Sequence, residues 1–198
     1  MAMKVKKLFR ALNVTIKGPK DTEVHGLCSH SARVAPGDLF IAKRGSAFDG
    51  SEFIQKALLA GASCILTDIY NPFHAHTTQV IAPNIAELES EIAKRFYDKP
   101  SNKLFTVGIT GTNGKTSVAY IARHLLLESG PCGMIGTVET ITGAHSWPSE
   151  LTTPDCTSNH KLLREMVASE CDAAVMEVTS HALDQGRTKG IEFDRVVF

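Results

Sequence analysis

Lys115 and Thr116 follow Gly114 in the run GITGTNGKTS, residues 108–117. A glycine, a lysine and a hydroxyl residue in that order are the parts of a phosphate-holding loop. Gly111 and Gly114 would let the main chain fold close around phosphate oxygens. Lys115 would bring a point charge to the β and γ phosphates, and the Thr116 hydroxyl would reach a Mg²⁺ ion. The spacing departs from the usual GxxxxGK[ST] pattern, because the position that needs the first glycine holds Ile109. The match is to a shorter GxxGKT form that starts at Gly111. Its place gives this short match weight: an apolar run over 103–110 precedes it and a helical pattern from about 116 to 129 follows. The loop therefore opens a helix, whose N-terminal N–H groups and dipole favour an anion. A plain strand-to-helix turn with a solvated Lys115 would not need both glycines and the GKT order together.

Other groups with metal or redox chemistry carry less. His74 and His76 form an HxH, yet no second cluster of Cys, His or carboxylates lies near them in sequence, so they read as part of a solvated loop after Asn71-Pro72. The five cysteines (28, 64, 132, 156 and 171) are widely spaced and include no CxxC, which suits reduced thiols buried as small hydrophobes. With 21 Lys plus Arg against 21 Asp plus Glu, the formal net charge is zero, which removes the electrostatic case for a nucleic-acid or anionic-membrane partner. No apolar run approaches the roughly 18 residues of a membrane span. The N-terminus, MAMKVKKLFRALNV, lacks the apolar block of a secretory signal, and the chain reads as cytoplasmic.

The elements that would position the loop follow from periodicity. Val5, Leu8, Phe9 and Leu12 have helical spacing. VHGLCS and residues 38–42, DLFIA, read as strands, the second between the Pro36-Gly37 turn and turn residues Gly45 and Asp49-Gly50. EFIQKALLAGA reads as a helix, 63–67 and 79–82 as strands, and a helix runs from about Ile85. The cluster Lys99-Pro100-Ser101-Asn102 reads as a linker, dividing the chain into domains 1–99 and 100–198. Past the loop and its helix come a strand-like CGMIGTVET, a polar loop, a helix from about 156 to 169, the strand DAAVMEV and a final apolar IEFDRVVF. Alternating strands and helices predict an α/β fold with mostly parallel sheets. The last four residues read as a buried strand that stops without cap, turn or polar tail, so the sequence is expected to be part of a longer protein.

TGTNGKTS resembles the loop of the Mur ligases and of their folylpolyglutamate synthetase relatives, and three further segments narrow the likeness. HSARVAPGDLFIAKRGSAFDGSEFIQKALLAGA is similar to the first-domain pattern DSRxVxPGDLFxAxxGxxxDGxxFIxxAxxxGA of MurE and MurF ligases. That first domain argues against a folylpolyglutamate synthetase. LTTPD, residues 151–155, and MEVTSHALDQGR, residues 176–187, resemble segments of the MurE type. The likeness covers nearly the whole chain. It implies a small N-terminal α/β domain for the UDP substrate, followed by the first part of a P-loop α/β ATP-binding central domain. It also implies the activity of a UDP-N-acetylmuramoyl-tripeptide synthetase, an ADP-forming ligase that adds meso-diaminopimelate or L-lysine to UDP-MurNAc-L-Ala-D-Glu through an acyl phosphate.

Site residues carry over from the same resemblance. Gly111, Thr112, Asn113, Gly114, Lys115, Thr116 and Ser117 would hold ATP, with Lys115 and Glu177 as the catalytic pair and Thr116 and Glu177 on Mg²⁺. Glu177 ends an apolar strand, as a Walker-B-like carboxylate would. Ser31 would bind the UDP part, with residues 46–48 beside it, although His30-Ser31-Ala32 departs from the usual Asp-Ser-Arg. Thr152, Thr153, Thr179, Gln185 and Arg187 would contact the muramyl dipeptide; Arg187 can grip a carboxylate or phosphate with two N–H groups. Thr152-Thr153-Pro154-Asp155 reads equally as a helix-entry turn. No role is carried over to His181. The implied partners are the UDP-linked dipeptide and an amino acid, with a monomeric protein. The alternative is a P-loop nucleotide-binding module without ligase chemistry, and this stretch alone is expected to lack ligase activity.

Overall fold

The computed structural model describes residues 2–43 and 49–198, so Gly45 and the 46–48 segment lie outside the described residues. The chain divides into two units, Met1–Phe96 and Tyr97–Phe198.

In the first unit, β1 (Met3–Lys4) leads directly into a single helical turn, α1 (Val5–Leu8), which buries Val5 and Leu8. β2 (Thr15–Lys17) and β3 (Glu23–Val24) follow, and β3 pairs with β1. The expected VHGLCS strand is therefore two pieces, the second being β4 (Gly26–Cys28). β4 runs parallel to β5 (Asp38–Ile41), β5 to β6 (Cys64–Thr67) and β6 to β7 (Thr78–Ile81), while β2 closes the far edge antiparallel to β7. Almost every residue of β5, β6 and β7 is buried, the pattern of parallel strands covered on both faces. α2 (Ile54–Leu59) contributes Ile54 and Ala57 to a core with Phe40, Ala42 and Ile65. α3 (Ile85–Phe96) buries Ile92, Ala93 and Phe96. Pro36-Gly37-Asp38 is the turn into β5: the Ala35 N–H donates to Asp38 Oδ2 at 2.8 Å.

The second unit starts from a turn at Pro100–Lys103 and β8 (Phe105–Ile109), followed by the loop and α4 (Lys115–Leu126). β9 (Cys132–Ile135), β10 (Glu139–Thr142), β11 (His145–Pro148), α5 (Cys156–Ala168), β12 (Ala173–Glu177), α6 (Ser180–Asp184) and β13 (Arg195–Val197) complete it. The sheet order is β11-β10-β9-β12-β8-β13, parallel from β9 to β13, with β10 and β11 as an antiparallel hairpin. Alternation along β12 explains the layers. Ala173 and Val175 join Val107, Met134 and Ala119 of α4; Ala174 and Met176 join Ile135 and Leu163 and Met166 of α5.

Two further expectations are corrected. The polar stretch after CGMIGTVET contains β11, whose residues are all exposed; its backbone is satisfied by β10, so polar side chains do not prevent a strand. β13 forms as expected but is not buried: it pairs with β8 along one side only, and Val196 is 66% and Phe198 99% exposed.

Candidate functional site

The parallel register gathers the C-terminal ends of β8, β9 and β12, with Glu177 opposite Ile109 and Met176 opposite both Gly108 and Ile135. The residues after each strand therefore meet at one edge, where α/β sheets hold ligands. After β8 comes the loop. Gly111 has φ +133° and Gly114 φ +80°, and a Cβ at Gly114 would meet no atom within 4 Å, so these positions need glycine for backbone conformation and not for space. Gly114 caps the 12-residue helix α4, and no side chain caps that end. The first-turn N–H groups and the dipole thus favour an anion there. Lys115 Nζ donates to the Gly111 carbonyl at 2.8 Å, folding its charge over the loop.

Glu177, the last residue of β12, is 0% exposed. Its Oε1 accepts the Thr137 N–H at 2.8 Å. Its Oε2 accepts the Thr116 hydroxyl at 2.9 Å and the Thr137 hydroxyl at 3.0 Å. All three donors are neutral, and among the described residues no Lys or Arg forms an ion pair with this carboxylate. A buried carboxylate beside a hydroxyl oxygen offers hard oxygen donors and a negative charge to balance, which fits Mg²⁺.

The TTPD turn is tied to the same strand end. Thr153 is buried; its hydroxyl donates to the Glu177 carbonyl at 2.8 Å and accepts the Thr179 N–H at 3.2 Å. This gives the Thr153 side chain a scaffolding role. Thr152 lies within 3.1 Å of the Thr137 hydroxyl, which connects the turn to the carboxylate. Asp155 caps α5, its Oδ1 accepting the Ser158 N–H at 3.0 Å. Thr179 caps α6 through the Ala182 N–H. Arg187 Nη1 donates to the Thr153 carbonyl at 2.8 Å and Nε to Gln185 Oε1 at 2.9 Å, while Gln185 Nε2 lies 2.8 Å from His181 Nε2. Thr116, Glu177, Thr152, Thr153, Thr179, Gln185 and Arg187 thus belong to one hydrogen-bonded neighbourhood in the second unit, while Lys115, next to Thr116 in sequence, bonds to the loop carbonyls of Gly111 and Thr112.

Ser31 lies apart from this neighbourhood, in the first unit. It is buried in the turn after β4, where the Arg33 N–H donates to the His30 carbonyl at 2.9 Å. Along the same C-terminal edge of that sheet lies a hollow of about 270 Å³ lined by Ser51, Thr67, Asp68, Tyr70 and Asn71, among others.

Sequence reasoning missed Gly136, Thr137, Asn159 and Tyr120. Gly136-Thr137 directly follows an apolar strand, as Glu177 ends one, and that position is the signal that was there to read. Asn159 is fully buried and donates to the Pro154 and Arg187 carbonyls, both at 2.9 Å; a polar residue in the first turn of α5 hides among cap residues. Tyr120 on α4 donates to Glu139 Oε1 at 2.7 Å. That bond, then burial and the nearby charges of Glu139 and Glu177, raise its phenol above the ordinary value. Among the described residues no group of three or more His, Cys, Asp or Glu could hold a metal, and His74 and His76 join no such cluster.

Residues 109–198 match the Mur ligase middle domain, and residues 23–104 match the Mur ligase family, catalytic domain. The chain belongs to the Mur ligase family. Within that family, this Mur ligase chain is similar to the MurE type: it is 41% identical over 98% of its length to a UDP-N-acetylmuramoyl-L-alanyl-D-glutamate–2,6-diaminopimelate ligase from Chlamydia pneumoniae. It spans about 41% of that relative's length. A solved structure of a UDP-N-acetylmuramoyl-L-alanyl-D-glutamate–2,6-diaminopimelate ligase superposes with a TM-score of 0.73 at 21% identity, covering 99% of this chain and 40% of that one. A MurF ligase from Thermotoga maritima in complex with ADP superposes with a TM-score of 0.52 at 22% identity, over 78% of this chain and 32% of that one. At these identities the structural matches establish the mixed α/β fold.

Proposed function

We propose that this Mur ligase chain carries the ATP-phosphate and UDP-substrate parts of an ADP-forming amide ligase. The ligase joins 2,6-diaminopimelate to UDP-MurNAc-L-Ala-D-Glu in peptidoglycan synthesis. The observation that carries the reading is the Thr116 hydroxyl 2.9 Å from Glu177 Oε2, beside the glycine loop. The similar relatives' names supply the choice of diaminopimelate over lysine.

The chemistry asks for activation, because a carboxylate is a poor acyl donor. The γ-phosphoryl group of ATP passes to the D-Glu carboxylate, giving ADP and an acyl phosphate. The incoming amine then attacks the acyl carbon, phosphate leaves, and the amine gives up a proton. The first step brings two anions together and the second releases an anionic phosphate, so the protein's task is positioning and charge neutralisation. In this reading the 111–117 loop and the α4 N-terminus hold the phosphates, and Lys115 leaves the Gly111 carbonyl to meet them. Thr116 and Glu177 hold Mg²⁺, which when bound neutralises phosphate charge. Thr152, Thr179, Gln185 and Arg187 face the muramyl dipeptide, with Thr153 holding the turn, and Ser31 serves the UDP part. ADP bound to the Thermotoga maritima ligase supports a nucleotide in this fold. An ATP-dependent reaction is assigned to the cytoplasm, and a monomer suffices for it.

Binding is the property to test on these 198 residues. Titration calorimetry should detect ATP in Mg²⁺, and Lys115→Ala should weaken it roughly 10- to 100-fold, the worth of a charge-assisted contact. Equal affinity in the variant would sink the loop assignment. ATP binding without any UDP-MurNAc-dipeptide binding would leave a nucleotide module in place of the ligase.

A further inference from the structure

Thr137 is exposed, yet its amide and hydroxyl each reach a carboxylate oxygen of Glu177. Its N–H reaches Glu177 Oε1 at 2.8 Å. Its hydroxyl lies 3.0 Å from Glu177 Oε2, 3.1 Å from Thr152 Oγ1 and 3.4 Å from Thr116 Oγ1. A hydroxyl has one proton to give and two lone pairs to receive with. The Thr116 proton goes to Oε2, and the one Thr137 proton is shared between Oε2 and Thr152 Oγ1, both placed to accept it. Packing does not account for this residue, because an exposed side chain fills no core. A loose glutamate at this strand end would have rotamers to lose; here the amide takes one carboxylate oxygen and so leaves the other beside Thr116.

We propose that Thr137 is a positioning residue: it orients the Glu177 carboxylate toward Thr116, and through the same hydroxyl links that carboxylate to Thr152 on the TTPD turn. The inference rests on the reading of Thr116 and Glu177 as the Mg²⁺ pair. Partners that orient a metal ligand without touching the metal are worth 10- to 100-fold in metal affinity. The Thr137 hydroxyl is such a partner, and the Thr152 link ties the metal pair to the segment assigned to the muramyl dipeptide.

The test is the ratio of ATP affinities measured by calorimetry in Mg²⁺ and in EDTA, for the full 198-residue chain and for Glu177→Gln, Thr137→Val and Thr137→Ser. Valine matches threonine in shape, keeps the amide and removes the hydroxyl. Thr137→Ala makes the same deletion with a smaller group, should the valine variant fold poorly. The expected result is a ratio lowered roughly tenfold by Thr137→Val and by Glu177→Gln, and restored by Thr137→Ser, with the thermal midpoint of Thr137→Val equal to that of the parent. A role confined to folding would move the midpoint and not the ratio, and that result overturns the proposal. So does a full ratio in both Thr137→Val and Thr137→Ala, or a serine variant that fails to restore it. If Glu177→Gln keeps the ratio, the metal reading itself falls and takes this inference with it. If Glu177→Gln loses the ratio and Thr137→Val keeps it, only the positioning role falls.

Discussion

A Cβ built on Gly136 would lie 2.7 Å from Glu177 Oε1, closer than such atoms approach, so any side chain there makes something move. The part most able to move is the carboxylate, which is the far end of a side chain, while Gly136 itself donates its N–H to the Glu139 carbonyl at 3.2 Å. Gly136→Ala should therefore leave unit two folded and push Glu177 off the Thr137 amide, lowering Mg²⁺-dependent ATP affinity by roughly tenfold or more. Calorimetry beside a thermal melt separates the two effects, and unchanged affinity would mean the carboxylate has room to spare. At this scale the sequence was legible where chemistry is local. Gly111, Gly114, Lys115 and Thr116 are neighbours, and their order alone suggested a phosphate loop. Thr137 is 40 positions from Glu177, and the bonds between them exist only because β9 and β12 lie side by side. No local pattern encodes that meeting.

Asp155 shows how an element's signal and a site's signal can share residues. Besides the Ser158 N–H, it accepts the Thr157 hydroxyl at 2.7 Å and the Ser158 hydroxyl at 2.8 Å, so one carboxylate fastens the first turn of α5. Asp155→Ala should cost the second unit about 1 kcal/mol, the usual worth of an N-cap. For a unit of this size that is a fall of roughly 4–8 °C in its melting midpoint. Trp147, the chain's single tryptophan, sits on β11 in that unit and reports the transition by fluorescence. No shift would mean that water caps the helix as well as aspartate does. The elements with period 3.6 or continuous burial, such as α3, α4, α5 and β12, were readable from side-chain pattern. β11 was not, because strand pairing is a backbone property and HSWP, with Trp147 as its one large apolar residue, buries none of its side chains. β13 was readable as a strand and misjudged for burial, since apolar composition reports what a surface can pack against and not what covers it among these residues.

Each unit buries at least one thiol, and this couples the stability of both to alkaline pH. All five cysteines are buried thiols. Burial raises Cys64 of the first unit strongly, raises Cys171 of the second, and pushes Cys132 of the second from its ordinary 9.0 up to about 11. An unfolded thiol ionises near 9, so between about pH 9 and about 11 the folded state keeps a proton that the unfolded state gives up. Stability that is complete below pH 9 must then decline as pH rises through that window. The raised Tyr120 phenol acts in the same direction. Urea midpoints should be level between pH 7.5 and 8.5 and fall steadily from pH 9 to 10.5, both by Trp147 fluorescence for the second unit and by far-ultraviolet circular dichroism for the whole chain. Cys132→Ala lowers the midpoint at every pH through the cavity it leaves, so the informative quantity is slope. The fluorescence-detected decline above pH 9 should be shallower in that variant, while an unaltered slope would assign the alkaline loss to groups other than this thiol.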